Sequence, residues 1–138
     1  MKTLRALAVL VTGAAMAVPV LAHHSFSAEY DAKQPITLKG SVVKMEWINP
    51  HSWIHLAVKN ADGTTTEWMI ESGTPNTLVR RGFTKQSLLP GTEITVEGYR
   101  AKNGANRANG ADLILSDGKR LFLGSSGTGA PREAPDGQ

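Results

Sequence analysis

The residues best suited to chemistry are the four histidines, His23, His24, His51 and His55. No cysteine accompanies them, so thiolate ligands and a thiol nucleophile are excluded. Nitrogen donors without thiolate favour copper(II), nickel or zinc. A histidine at a free N-terminus offers its α-amine and its ring Nδ1 to one ion as a chelate. The amine titrates near 7.7–8.0, low enough for copper to displace its proton at neutral pH. His23 can become such a terminus. A basic start (Lys2, Arg5), an apolar stretch from Ala6 to Val18 and a Val20-Leu21-Ala22 ending form a secretory signal, with cleavage expected after Ala22.

A further ring must then come from the fold. His51 and His55 lie in a segment of clean alternation, Ser52 to Lys59 with His51 just before it, which reads as a β-strand. Ile54, Leu56 and Val58 share its inner face; His51, Trp53, His55 and Ala57 share the outer one. Four strand steps of about 3.3 Å separate the two histidines by about 13 Å, too far to share an ion from a regular strand. Either ring is therefore a candidate third donor, with His51 the more adjustable because Pro50 precedes it. His24 offers a simpler alternative through the amine, the intervening amide and its own ring. Against metal binding stands the ordinary role of such histidines as surface or hydrogen-bonding residues.

A second constellation is aromatic and basic. Trp47, Trp53 and Trp68 fall in the first three expected strands. Trp47 and Trp68 read as packing residues, and Trp53 as the surface candidate because the inner face is already claimed. Arg100, Lys102 and Arg107 lie on a polar stretch, Gly98 to Gly110, that suits contact with an anion, a saccharide or a partner protein. It equally suits a solvated loop of Asn and Gly. Glu67 and Glu71 lie four apart on one strand, and nothing in that spacing argues for a hydrolase pair. The chain carries no nucleophile elbow, phosphate loop or dinucleotide fingerprint, and the balance leans away from an enzyme.

These residues must be held by a small domain. Removing 22 residues from 138 leaves 116, enough for one core. It also removes two of the 15 basic residues, leaving 13 against 12 acidic ones. Near-neutral charge and export argue against nucleic acid, and no other apolar run is long enough for a membrane span after processing. Strands are expected over Ile36–Trp47, Ser52–Lys59, Thr64–Glu71 and Thr92–Ala101, then a last hairpin of Ala111–Ser116 and Lys119–Leu123. Gly40 marks an expected bulge or strong bend. Asp62-Gly63 marks a tight hairpin. Thr74-Pro75 opens a short helix over Asn76–Arg81 that Gly82 stops, between the third and fourth strands. The division is residues 1–22 signal, 23–35 extended arm, 36–123 barrel, and 124–138 disordered tail. The fold class is mostly β, a small Greek-key barrel of oligonucleotide/oligosaccharide-binding type; a small open sandwich is the alternative.

Several segments resemble a known family: His23-His24-Ser25-Phe26, Ile48-Asn49-Pro50-His51-Ser52-Trp53, Arg80-Arg81-Gly82-Phe83-Thr84, and Gly98 to Gly104 with Asn106 to Gly110. They are similar to the small exported bacterial proteins of domain-of-unknown-function family 6152. The resemblance covers nearly all of the mature chain and implies an exported compartment, with His-His-Ser-Phe directly after the signal. It implies no activity and no ligand residues.

The expectation is therefore a periplasmic or secreted binding module. It takes copper through His23 with His51 or His55, or it is a metal-free accessory domain holding a partner protein or saccharide on the Trp53 face. N-terminal sequencing of the exported protein is expected to return His-His-Ser-Phe. Any other first residue removes the terminal chelate.

Overall fold

The computed structural model describes residues 26–124. The expected signal, His23, His24 and the tail beyond Gly124 lie outside them. The elements are α1 (Phe26–Glu29), β1 (Tyr30–Glu46), β2 (Trp53–Lys59), β3 (Thr65–Glu71), α2 (Pro75–Arg80), β4 (Glu93–Ala101), β5 (Arg107–Leu115) and β6 (Arg120–Phe122). The protein is mostly β. Its strand order is β3-β2-β1-β4-β5-β6, and β3 also pairs with β5. Five strands thus close in the order 1-2-3-5-4-1, with α2 between the third and fourth. That is the small Greek-key barrel of oligonucleotide/oligosaccharide-binding type.

The alternation of β2 works as expected on its inner side. Ile54 and Leu56 are fully buried and join Leu38, Val42, Ile70 and Val96 in one core. Removing such apolar area from water contributes roughly 25 cal/mol per Å². α2 adds Leu78 to that core, and the turn after it adds Phe83. Thr74 caps the helix by accepting from the Thr77 amide at 3.2 Å. Gly82 ends it at φ 91°, which lets the Phe83 amide return to the Leu78 carbonyl at 3.1 Å.

Four local expectations need correction. Residues 26–35 are not a free extended arm. Phe26 and Tyr30, four apart, suit one helical turn, and both dock with Ala101 and Tyr99 in a small second apolar cluster. Tyr30 then begins β1 by pairing with Ala101. Second, the irregularities in β1 fall between Val42 and Lys44 against β2 and between Tyr30 and Pro35 against β4, not at Gly40. Gly40 instead marks a close crossing, where a Cβ would lie 2.2 Å from the Ala57 carbonyl oxygen. Third, the polar loop is shorter than expected, because β5 already begins at Arg107. There Met69 pairs with Arg107 across the seam that closes the barrel. Fourth, the outer face of β2 is not uniformly open to solvent: His55 is only 7% exposed, whereas Trp53 and Ala57 are half-buried.

Gly40→Ala is expected to cost more than about 2 kcal/mol in urea unfolding, because backbone must move. Gly63→Ala, at a turn with φ +87° and open space around it, is expected to cost about 1 kcal/mol.

Candidate functional site

The hairpin turn at Asp62-Gly63 sets the register of β2 against β3, and that register places Trp53 opposite Glu71. Past the strand ends the ladder continues. The Ser52 amide donates to the Gly73 carbonyl at 3.0 Å, and the Ser72 amide donates to the Ser52 carbonyl at 2.9 Å. His51 is therefore anchored at the end of the β1–β2 loop and is held beside Glu71. Its Nε2 lies 3.5 Å from Glu71 Oε1. The Tyr30 hydroxyl donates to the other oxygen, Oε2.

The closing pair of β3 and β5 brings in a third strand. Glu71 is the register partner of Asn109, and Met69 that of Arg107. Neighbours in register share a face, so Arg107 and Asn109 stand on the Glu71 side. The Arg107 guanidinium lies 3.4 Å from Glu29 Oε2 and 3.4 Å from the Tyr30 hydroxyl oxygen. Its Cζ also sits 5.0 Å from the centroid of the Trp53 ring. One buried carboxylate thus joins a loop histidine to the N-terminal segment, with an arginine beside them.

Buried polar groups in folded proteins almost always have partners. Among the described residues, five buried side-chain atoms have none: His51 Nδ1, Ser52 Oγ, His55 Nε2, Arg107 Nε and Asn109 Oδ1. Four of the five belong to residues grouped around Glu71. This concentration marks the barrel mouth as the place where the fold leaves hydrogen-bonding capacity unspent.

His55 stands apart from this group. Its Nδ1 is 2.7 Å from Glu67 Oε1, and its Nε2 is 3.4 Å from Glu46 Oε1. The second contact is within ion-pair reach but lacks hydrogen-bond alignment. Lys44 bonds Glu46 at 2.5 Å and holds that carboxyl below its usual range. The two strand histidines therefore engage different carboxylates. Among the described residues no group of three or more His, Asp and Glu side chains is placed to hold a metal ion.

The basic residues divide as well. Arg107 and Trp53 stack together. The Arg100 Cζ lies 5.3 Å from the Trp68 ring centroid, and Trp68 is a core residue. Lys102 clamps α1, its Nζ donating to the Ser27 carbonyl at 2.5 Å and its amide to the Glu29 carbonyl at 2.9 Å. Beside Arg107 a recess of about 210 Å³ opens between Glu29, Lys102 and Asn103. Reading spacing alone undervalued Glu71 and missed Tyr30, Ser52 and Asn109. Counting outward from a two-residue Asp62-Gly63 turn would put Ser72 across from Trp53. The loop instead holds three residues, Ala61 to Gly63, between the paired Asn60 and Thr64, and that shift of one brings Glu71 there.

In fold and site this is a small closed β-barrel with a polar cluster where its β1–β2 and β4–β5 loops meet. In barrels of this kind those loops and the β2–β3 face carry ligands. The chain belongs to the family of unknown function DUF6152, whose model matches residues 10–110. No curated protein matches it.

Burial, then the hydrogen bond to Glu71 and the charge of that carboxylate, push the Tyr30 phenol well above its ordinary pKa. The folded state therefore holds this proton more tightly than the unfolded state. Stability from Tyr30 is present below the unfolded tyrosine pKa, about 10, and falls as pH rises above it. Urea unfolding between pH 8 and 11 is expected to show this decline, and Tyr30→Phe is expected to flatten it.

Proposed function

We propose that the protein is an exported binding module, periplasmic or secreted, that takes a metal ion at the barrel mouth. Copper(II) is the first candidate, bound by the amine and ring of a processed His23 together with His51. One observation carries this reading: Tyr30 donates to one oxygen of Glu71, and His51 lies within ion-pair reach, 3.5 Å, of the other. The segment leading back to His23 and His24 is thus tied to the end of the barrel where His51 sits. Three peptide steps separate Phe26 from His23, a chain span of at most about 11 Å. Phe26 itself stacks on Tyr30, with ring centroids 5.8 Å apart.

The donor chemistry supports the same choice. His51 keeps Nδ1 without a partner, whereas both nitrogens of His55 face carboxylates. Imidazole and amine nitrogens without thiolate suit copper(II) over softer-ligand metals. His51 is therefore the fold's donor, and His55 is a structural residue. His24 remains the donor of the simpler chelate, which needs nothing from the barrel.

A second reading has its own observation. Trp53 lies on the β2 face under Arg107, which itself lines the 210 Å³ recess. A metal-free accessory domain would use this face to hold a partner protein or saccharide. On that reading Trp53→Ala abolishes saccharide or partner binding in metal-free protein while the melting temperature stays nearly unchanged.

Protein beginning at His23 is expected to bind copper(II) with visible d–d absorption, followed by calorimetric titration. One added residue before His23 is expected to weaken binding at least about tenfold, and His51→Ala by about 10–100-fold, with His55→Ala leaving it unchanged. Equal affinity with and without the added residue would overturn the terminal chelate. An unchanged affinity in His51→Ala would leave only the His24 chelate.

A further inference from the structure

We infer that Glu71 is a positioning residue that holds His51 in one tautomer, with the proton on Nε2 and the lone pair on Nδ1. The purpose of this device rests on the metal reading above; its test does not.

Neutral imidazole carries one N–H and one lone pair. Glu71 Oε1 is the carboxylate oxygen nearest Nε2, 3.5 Å away, which is ion-pair reach and longer than a hydrogen bond. A lone pair aimed at a carboxylate oxygen is repelled, whereas an N–H is attracted, so the proton belongs on Nε2. The lone pair then falls on Nδ1, the nitrogen with no partner among the described residues. Glu71 is 8% exposed, so water screens this choice poorly.

The carboxylate is itself held in place. The Tyr30 hydroxyl donates to Oε2, and Arg107 stands 3.4 Å from that hydroxyl. The raised Tyr30 pKa keeps the phenol a donor. The backbone bonds of Ser52 to Gly73 and Ser72 stop the loop from carrying His51 away. This arrangement matches a general feature of metal-binding histidines, which donate their second N–H to a carboxylate and so present a fixed lone pair to the ion. Here the carboxylate also joins the two halves of the proposed donor set, because Tyr30 belongs to the N-terminal segment.

The tautomer can be read without metal. Long-range proton–nitrogen NMR of metal-free protein, taken above the pH at which the ring shifts stop changing, is expected to show His51 with Nε2 protonated and Nδ1 bare. Glu71→Gln is expected to give a mixture, since the amide can turn either its oxygen or its NH₂ toward the ring. Tyr30→Phe is expected to move the balance the same way by a smaller amount. Wild-type protein with the proton on Nδ1, or an unchanged tautomer in a folded Glu71→Gln, overturns the proposal. Should Glu71→Gln fail to fold, the wild-type and Tyr30→Phe spectra decide. With copper(II) added, Glu71→Gln is expected to lose about 10–100-fold in affinity. It is also expected to lose the His51 nitrogen coupling in the electron paramagnetic resonance spectrum while keeping the N-terminal ones. A wild type that shows the expected tautomer but binds no copper overturns the metal reading and leaves the role of Glu71 standing.

Discussion

Everything at the barrel mouth depends on the parallel pairing of β3 with β5. Three register pairs, Met69 with Arg107, Ile70 with Ala108 and Glu71 with Asn109, turn an open sheet into a closed one. β5 must pair antiparallel with β4 over most of its length and parallel with β3 at its start. That double duty demands close backbone approach. A Cβ on Gly98 would lie 2.1 Å from the Asn109 carbonyl oxygen, and one on Gly110 would meet Leu123 at 2.8 Å and Ile70 at 2.9 Å. The glycines in these two strands therefore serve closure. Closure also covers the last three residues of the β3 edge, which would otherwise be open to pairing with other molecules.

Closure has an electrostatic consequence. It lowers Glu71 into a site walled by three strands and the N-terminal segment, where a lone carboxylate would be costly. Tyr30, His51 and, through Tyr30, Arg107 offset that cost. The same contacts dock the N-terminal segment, so one side chain serves both the anchoring of the fold and the placing of a histidine. The pair His55 and Glu67, at 2.7 Å, does comparable work further along β2 without reaching the mouth. Two histidines on one strand thus have different tasks because different carboxylates face them.

Much of the frame was legible in the chain. The alternation of β2 identified Ile54 and Leu56 as core, and Thr74-Pro75 with Gly82 bounded α2. The reason is that these signals are local: a cap, a turn and a two-residue period act within a few residues. The misreadings were also informative. Phe26 and Tyr30 looked non-periodic because one helical turn is too short to show a pattern. Arg107 looked like loop because its strand partner, Met69, lies far back in the chain and belongs to a seam that no local pattern announces. His55 looked exposed because alternation tells inside from outside but not whether long side chains such as Glu46 and Glu67 cover the outside.

By itself the chain determined the middle of each strand, the α2 boundaries and the place of the β2–β3 turn, because each of those signals acts within a few residues. The facing of Trp53 and Glu71 depended on one more loop residue than a two-residue turn, since Asn60 pairs with Thr64 around Ala61-Asp62-Gly63. Tertiary structure alone decided that Tyr30 would meet Glu71 across 41 residues. It likewise decided that Arg107 would cover Trp53 and that His51 and His55 would part company. Those contacts join strands that are not neighbours in the chain. Their geometry exists only once the sheet has closed on itself.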